Sequence, residues 1–361
     1  MSKRKICVPV LSRANWGRLK AVLHAINRHP ELELQLIIGG SAVLPRFGVR
    51  EAIIAEGLKV SSEIWCTVEG DRHENMATTT GLLTVQLVQQ FNMLQPDIVL
   101  VHADRYEMLA IATAASYMSI PLAHTQGGEV SGNIDDKVRN AITMLADIHF
   151  PATNKAAQRI YGMCRENIFQ AGCPTIDLLK GMDFKTDIEE PYFVVCMHPV
   201  TTDNESDTKM QILLDVLDYF AIDVYWIHSN IDPMHTQVNE FVQNYIRKHD
   251  MKFIKFLDSV SPEEFYVLMK NSMCLIGNTS SGIREGAYLG VPYVCLGNRQ
   301  SKREHSQNVK FVENYDFVDI KEAVGWMMGR EYAYDGKFGN GDASERIATA
   351  LANVVIKQCK Y

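Results

Sequence analysis

The sequence predicts an α/β protein built of two doubly wound, Rossmann-like domains that face each other across a cleft. Three observations predict it. At 361 residues the chain exceeds what one hydrophobic core usually organises, so two domains of ordinary size are expected. Short β-branched runs alternate with helix-period segments along both halves, which is the pattern of βαβ units and parallel sheet. A charged, proline-bearing stretch, FKTDIEEPYF at residues 184 to 193, interrupts the alternation midway, giving domains of residues 1–186 and 187–361.

In the first half KICVPVL reads as a strand, WGRLKAVLHAINRHP as a helix closed by its proline, and LELQLIIGG as the next strand. The series continues with a helix at TTTGLLTVQLVQQFNML, a strand at DIVLVHA, a helix at EMLAIATAASYM, a strand at PLAHTQ and a helix at DDKVRNAITMLA. The second half repeats the scheme. Its strands are YFVVCMH, DVYWIHS, KFIKFL, MCLIGN and PYVCLG, separated by helical DTKMQILLDVLDYFA, HTQVNEFVQNYIRKH, PEEFYVLMKN and GIREGAYLG. The last run, SERIATALANVVIKQ, is amphipathic and is expected to pack back across the first domain.

Composition narrows the class of function. Hydrophobic residues make up 47% and charged residues 22%, the balance of a globular enzyme without a long disordered tail. A formal net charge of -7 argues against nucleic acid as a bulk electrostatic partner. The 8 cysteines are scattered, with no CxxC pair, and Cys7, Cys196, Cys274 and Cys295 fall inside apolar runs as buried free thiols. That usage fits a reducing cytoplasm. The opening MSKRKICVPV reads as a strand rather than a leader, and no stretch approaches the roughly 20 apolar residues of a membrane span.

Ligands of doubly wound sheets bind at the carboxyl ends of strands, so the loops that follow strands carry the functional reading. GNTSSGIREGAYLG, residues 277 to 290, runs from a strand into a helix and sets Thr279, Ser280 and Ser281 where helix N–H groups are unpaired, a site for a diphosphate or, more plainly, a serine N-cap. Arg299, Lys302 and Arg303 follow the next strand with positive charge. His198 in MHPVTTDNE and Arg13 in SRANWGRL end two further strands, as a turn histidine and a solvated arginine or as ligand contacts. VHADRYE gathers His102, Asp104 and Arg105. HTQGGEVSG, residues 124 to 132, puts His124, Gln126, Glu129 and three glycines where backbone is expected to come close to a ligand, although Gln126 cannot act as acid or base. Asp135 and Arg139 beyond it have the spacing of a helical salt bridge. Neither a Walker A motif nor a strand-linked GxGxxG occurs, and no histidine spacing calls for a metal.

Taken together, RANW, HADR, GGEVSGNIDDKVRNAITMLA, AGCPTIDLL, HPVTTD, NTSSGIRE and LGNRQ resemble the UDP-N-acetylglucosamine 2-epimerase family, and most of all its hydrolysing branch, which makes N-acetylmannosamine for sialic acid synthesis. The likeness runs in order over nearly the whole chain. It implies a GT-B-like fold with the nucleotide sugar in the cleft, no cofactor and no metal, a homodimer or homotetramer, and neither nucleic acid nor membrane as partner. It implies loss of the C2 proton and of UDP to give a glycal, followed by addition of water with inversion at C2. By position, Arg13, Arg105, His198, Thr279, Ser280 and Arg299 correspond to contacts with the diphosphate or its sugar, Glu285 to the carboxylate on the ribose hydroxyls, and Asn230 to a contact near the nucleotide. Asp104 and Asp135 correspond to the acids of proton transfer, with His124 in the same loop.

Three departures stand out. Gln126 replaces a carboxylate in what is usually HIEGGE, Ala42 stands where a histidine is common, and RANW replaces RADY. They leave open a shift of proton transfer to Asp104, Asp135 or Glu129, a differently substituted sugar such as a UDP-2,4-diacetamido-trideoxy sugar, or loss of activity. The alternatives are a non-hydrolysing 2-epimerase, whose product stays on UDP, and a UDP-sugar-binding protein without turnover. A glycosyltransferase of the same architecture is disfavoured by the carboxylate-bearing loops of the first half.

Overall fold

The computed structural model describes residues 2–70, 72–132, 135–163, 165–198, 206–228, 235–257 and 260–356. The first half runs β1 (Arg4–Val10), α1 (Arg13–Arg28), β2 (Leu32–Gly39), α2 (Val49–Ala55), β3 (Val60–Ile64), α3 (His73–Leu94), β4 (Ile98–His102), α4 (Tyr106–Tyr117), β5 (Leu122–Thr125), α5 (Asp135–Leu145), β6 (Ile148–Phe150), α6 (Asn154–Gly162) and α7 (Pro174–Leu179). The second runs β7 (Tyr192–Cys196), α8 (Ser206–Phe220), β8 (Asp223–Ile227), α9 (His235–Lys248), β9 (Ile254–Leu257), α10 (Pro262–Asn271), β10 (Cys274–Gly277), α11 (Ser281–Leu289), β11 (Tyr293–Leu296), β12 (Val309–Val312), α12 (Phe317–Met327) and α13 (Ala343–Asn353).

These strands form two six-stranded parallel sheets, ordered β3-β2-β1-β4-β5-β6 and β12-β11-β10-β7-β8-β9. The two orders are the same doubly wound pattern, with direction reversing between β1 and β4 in one sheet and between β7 and β10 in the other. The α/β class is therefore as the alternation predicts. Central strands are buried along their length, as expected where helices cover both faces. Pro9 is tolerated inside central β1 because the ladder to β4 ends at Cys7, before the residue that has no N–H to give. Helix α1 ends at Arg28 with His29 extended at ψ 129°, since the residue before Pro30 is pushed out of the helical region.

The short edge strands β3 and β12 escape the sequence pattern. VSSEI and VKFV bury only their last residue and carry little of the apolar signal. Helix α3 begins at His73, a turn and more ahead of the apolar run that predicts it. Helix α13 leaves the second sheet to join the core of the first, where Ile347, Ala348 and Leu351 pack with residues of β1, β2 and α1. Both its ends are held: Asp177 accepts from the amides of Ala343 at 3.1 Å and Ser344 at 2.6 Å, and Arg4 donates to the carbonyl of Leu351 at 2.6 Å. Cys7, Cys196, Cys274 and Cys295 are buried free thiols. Among the described residues no helix is long and apolar enough to cross a membrane.

Candidate active site

A cavity of about 640 Å³ opens between the carboxyl ends of the two sheets. Its wall takes Arg13 and Ala14 after β1, Ala103 to Arg105 after β4, Gly132 and Asp135 before and at the start of α5, His198 after β7, Thr279 to Ser281 after β10, and Asn298 to Gln300 after β11. The loops at both switch points thus meet in one space. Of the residues expected from sequence, Arg13, Asp104, Arg105, Asp135, His198, Thr279, Ser280, Ser281 and Arg299 line it. His124, Gln126, Glu129 and Glu285 are buried and do not. Asn230 lies outside the described residues.

The second-half wall is held by Asn278, which stands inside GNTSSG without a sequence signal of its own. Its Oδ1 accepts from the amide of His198 at 2.8 Å and its Nδ2 donates to the carbonyl of His198 at 2.8 Å, tying the β7 and β10 loops together. Gly277 precedes it at φ +148°, and a Cβ there would sit 2.0 Å from the carbonyl oxygen of Cys196, so glycine is required for that approach. Ser280 occupies the N-cap of α11 without a capping hydrogen bond from its side chain. Its Oγ accepts from Arg18 Nη2 at 2.7 Å, across the cleft. Arg18 also lines the cavity, as do Arg284 and Arg303. The signal for Arg18 was its place on α1 beyond Arg13, and for Arg284 its place inside NTSSGIRE. Arg299 Nη1 donates to the carbonyl of Asn278 at 3.0 Å, so Arg18 and Arg299 are both tied to the segment that opens α11, where a helix N-terminus favours an anion.

In the first half, Asp104 follows a strained turn. Ala103 has φ +61°, unusual for a residue with a Cβ. The turn is over-determined: Ala103 donates its amide to the carbonyl of Thr125 at 3.0 Å, and its own carbonyl lies 2.8 Å from His124 Nε2. A carbonyl can only accept, so Nε2 carries the proton. Burial pushes His124 down to about 4, which keeps the imidazole neutral with Nδ1 turned to Thr143 Oγ1 at 3.2 Å. His124 therefore buttresses the Asp104 loop from behind.

A buried web of charge links this loop to the second half. Arg139 on α5 donates to Asp104 and to Asp136, and the carboxylate of Glu129 accepts from both Arg284 and Arg303. Burial alone would push Asp104 up, but Arg139, Arg303 and Arg284 outweigh it and hold the carboxyl well below its ordinary range. Glu129 follows the same logic, burial opposed by Arg284, Arg303 and Arg139, and its net direction is also down. Asp136 accepts from the amides of Ser131 and Gly132, each at 2.8 Å, and fixes the end of the glycine loop.

Of the three glycines of HTQGGEVSG, Gly132 lines the cavity, whereas Gly127 and Gly128 serve packing. Gly128 has φ +78°, and a Cβ would come within 2.4 Å of the carbonyl oxygen of Ala156 on α6. Gln126, at φ +60°, turns its side chain away from the cavity and donates from Nε2 to Cys173 Sγ at 3.4 Å. Among the described residues no group of histidine, cysteine and acidic side chains is placed to hold a metal ion.

Comparison with known proteins gives the geometry a family context. The family described as UDP-N-acetylglucosamine 2-epimerase matches residues 24–352. A UDP-N,N'-diacetylbacillosamine 2-epimerase (hydrolyzing) of Legionella pneumophila is 31% identical over 97% of this chain and 96% of its own length. A GDP/UDP-N,N'-diacetylbacillosamine 2-epimerase (hydrolyzing) of Campylobacter jejuni is 30% identical over 92% of this chain and 89% of its own. The structure of the Methanocaldococcus jannaschii UDP-GlcNAc 2-epimerase in complex with UDP-GlcNAc and UDP superposes with a TM-score of 0.82 at 18% identity, covering 96% of this chain and 99% of that one.

Proposed function

The chain belongs to the UDP-N-acetylglucosamine 2-epimerase family, and from that premise we propose that it catalyses hydrolytic epimerisation of a UDP-2-acetamido sugar, releasing UDP and the free C2 epimer. With UDP-N-acetylglucosamine the product is N-acetylmannosamine. The observation that carries this reading is one cavity lined by Asp104 and Asp135 together with Arg13, Arg299 and the N-terminal residues of α11, Ser280 and Ser281. Elimination needs that pairing: a base for the C2 proton, and cations with amides for the departing diphosphate.

In this reading Asp104 and Asp135 handle protons on the two faces of C2. The C2–H electron pair becomes the C1=C2 bond while the C1–O pair leaves with UDP; water then returns hydroxyl to C1 and a proton to the opposite face of C2. Arg13, Arg105, Arg299, His198, Thr279, Ser280 and Ser281 hold the diphosphate and its sugar; Asn230, outside the described residues, is assigned to the nucleotide by family position alone. Glu285, which by family position would hold the ribose hydroxyls, is fully buried with neither oxygen hydrogen-bonded within the protein and stands behind the cavity wall, so that role requires α11 to shift and expose it. His124, Gln126 and Glu129 contribute by position and not by carrying the proton.

A second reading keeps the chemistry and changes the sugar. The two hydrolysing relatives named for UDP-N,N'-diacetylbacillosamine favour a 2,4-diacetamido substrate. Incubation with each UDP-sugar in deuterated water tests both: free UDP and a free sugar carrying deuterium at C2 are expected from the true substrate. A deuterated product still joined to UDP would mean the non-hydrolysing reaction, and neither UDP nor exchange from any of these sugars would remove the enzyme reading.

A further inference from the structure

Arg139 is 1% exposed and reaches three separate parts of the site from α5. Its Nη2 donates to Asp104, its Nη1 to Asp136 and, at 3.0 Å, to the carbonyl of Glu129; Ser131 Oγ lies 3.4 Å from Nη2. A guanidinium offers these directions in one rigid plane, which a lysine ammonium cannot reproduce. The groups facing Asp104 are Arg139 from α5, Arg303 from the loop after β11, Arg284 from α11, and the buried His102 and His124 from β4 and β5.

Resting on the proton-transfer role given to Asp104 above, we propose that Arg139 is a positioning residue for the reaction: it holds the Asp104 carboxylate in one orientation, as an anion ready to receive the C2 proton. The web also responds to that proton. Asp104, Asp136 and Glu129 balance Arg139, Arg284 and Arg303. When the C2–H bond breaks and an O–H bond forms on Asp104, positive charge is left in excess beside the diphosphate that is departing with the C1–O electron pair. Proton acceptance and leaving-group stabilisation are thereby coupled through one side chain.

The test uses the full chain labelled with aspartate carrying carbon-13 in its carboxyl group, in which the Asp104 signal is assigned by its loss in Asp104→Asn. In the native protein that signal should stay at its ionised position from pH 8 to pH 5. In Arg139→Met it should titrate inside that range, because burial then acts without its main opponent. Arg139→Lys should keep Asp104 ionised yet lower kcat by about 10²-fold with KM little changed, since charge is retained and orientation lost. An Asp104 titration that is the same in the native protein and Arg139→Met would overturn the proposal. Should Arg139→Met fail to fold, Arg139→Lys decides by itself, an undiminished kcat counting against. A native protein that releases no UDP from any UDP-sugar would remove the epimerase reading, while the Asp104 titration would still settle whether Arg139 holds this carboxylate.

Discussion

The wall of the cleft and the layer one side chain behind it are built from neighbouring residues yet differ in kind. Asp104, Asp135, Arg13 and Arg299 face the cavity, whereas His124, Gln126 and Glu129 are buried against protein partners. The difference follows from strand order. The loops after β1 and β4 flank the switch point of the first sheet and open into the cleft, while β5 lies one strand further out: the first part of its loop, Gln126 to Glu129, closes over the back of the β4 turn, and the segment reaches the cleft at Gly132 and Asp135. A strand-end loop rich in ionisable residues is thus not by itself a wall of the site.

The largest expected effect tests the wall. Asp104→Asn should lower C2 deuterium exchange by about 10²- to 10⁴-fold, the usual contribution of a positioned base, while UDP still raises the melting temperature. Full exchange in that variant would move proton transfer to another residue and dissolve the distinction. Glu129→Gln tests the layer behind. It leaves Arg284 and Arg303 buried side by side without their shared carboxylate, at a cost of about 3–5 kcal/mol in urea unfolding. If Glu129 carried the proton instead, C2 exchange would vanish in a variant that is still folded and still stabilised by UDP.

The pH dependence of folding separates the layers differently. The folded-state value of His124 is depressed to about 4 against an ordinary 6.5, so the unfolded chain binds the proton first as pH falls. Its contribution to stability is complete above about 6.5 and is lost between there and 4, at up to about 1.4 kcal/mol per pH unit. His149, also pushed down by burial to about 3, acts in the same direction. Urea unfolding from pH 7 to pH 5 should show this slope, and His124→Gln should reduce it even though it weakens the fold at pH 7. An unchanged slope would mean that His124 is not held neutral behind Ala103.

Much of this was legible in the sequence because the relevant signals are local. Apolar runs mark the central strands, Thr279 to Ser281 mark a helix N-terminus, and Asp104 and Arg13 stand directly after strands at a switch point. What was not legible depends on distance in the chain. Arg18 meets Ser280 across 262 residues, Arg303 meets Glu129 across 174, and nothing in periodicity or spacing announces either contact. The edge strands β3 and β12 are equally silent, since a half-exposed strand lacks the apolar run that identifies a buried one. Gly128 of HTQGGEVSG misleads for a related reason: a close approach is implied, but it is to the backbone of α6, and Gly132 alone of the three glycines reaches the cavity.

The smallest effect expected on turnover is the most informative about Gln126. In Gln126→Glu the new carboxyl replaces an amide that is 1% exposed and hydrogen-bonded to Cys173, whose own thiol is pushed up to about 11 by burial. Desolvation should raise that carboxyl above the ordinary glutamate value, so the variant is little affected at pH 5 and loses stability as pH rises, by about 1.4 kcal/mol for each unit of the raise. Its melting temperature should therefore fall further below that of the native protein at pH 8 than at pH 5, with no gain in C2 exchange on any UDP-sugar. A tenfold gain in exchange, with the same melting difference at both pH values, would mean that the side chain reaches the sugar and that position 126 belongs to the wall. The glutamine would then mark an altered substrate, and the backward-facing arrangement of β5 would be one of two states of the loop rather than its fixed place behind Asp104.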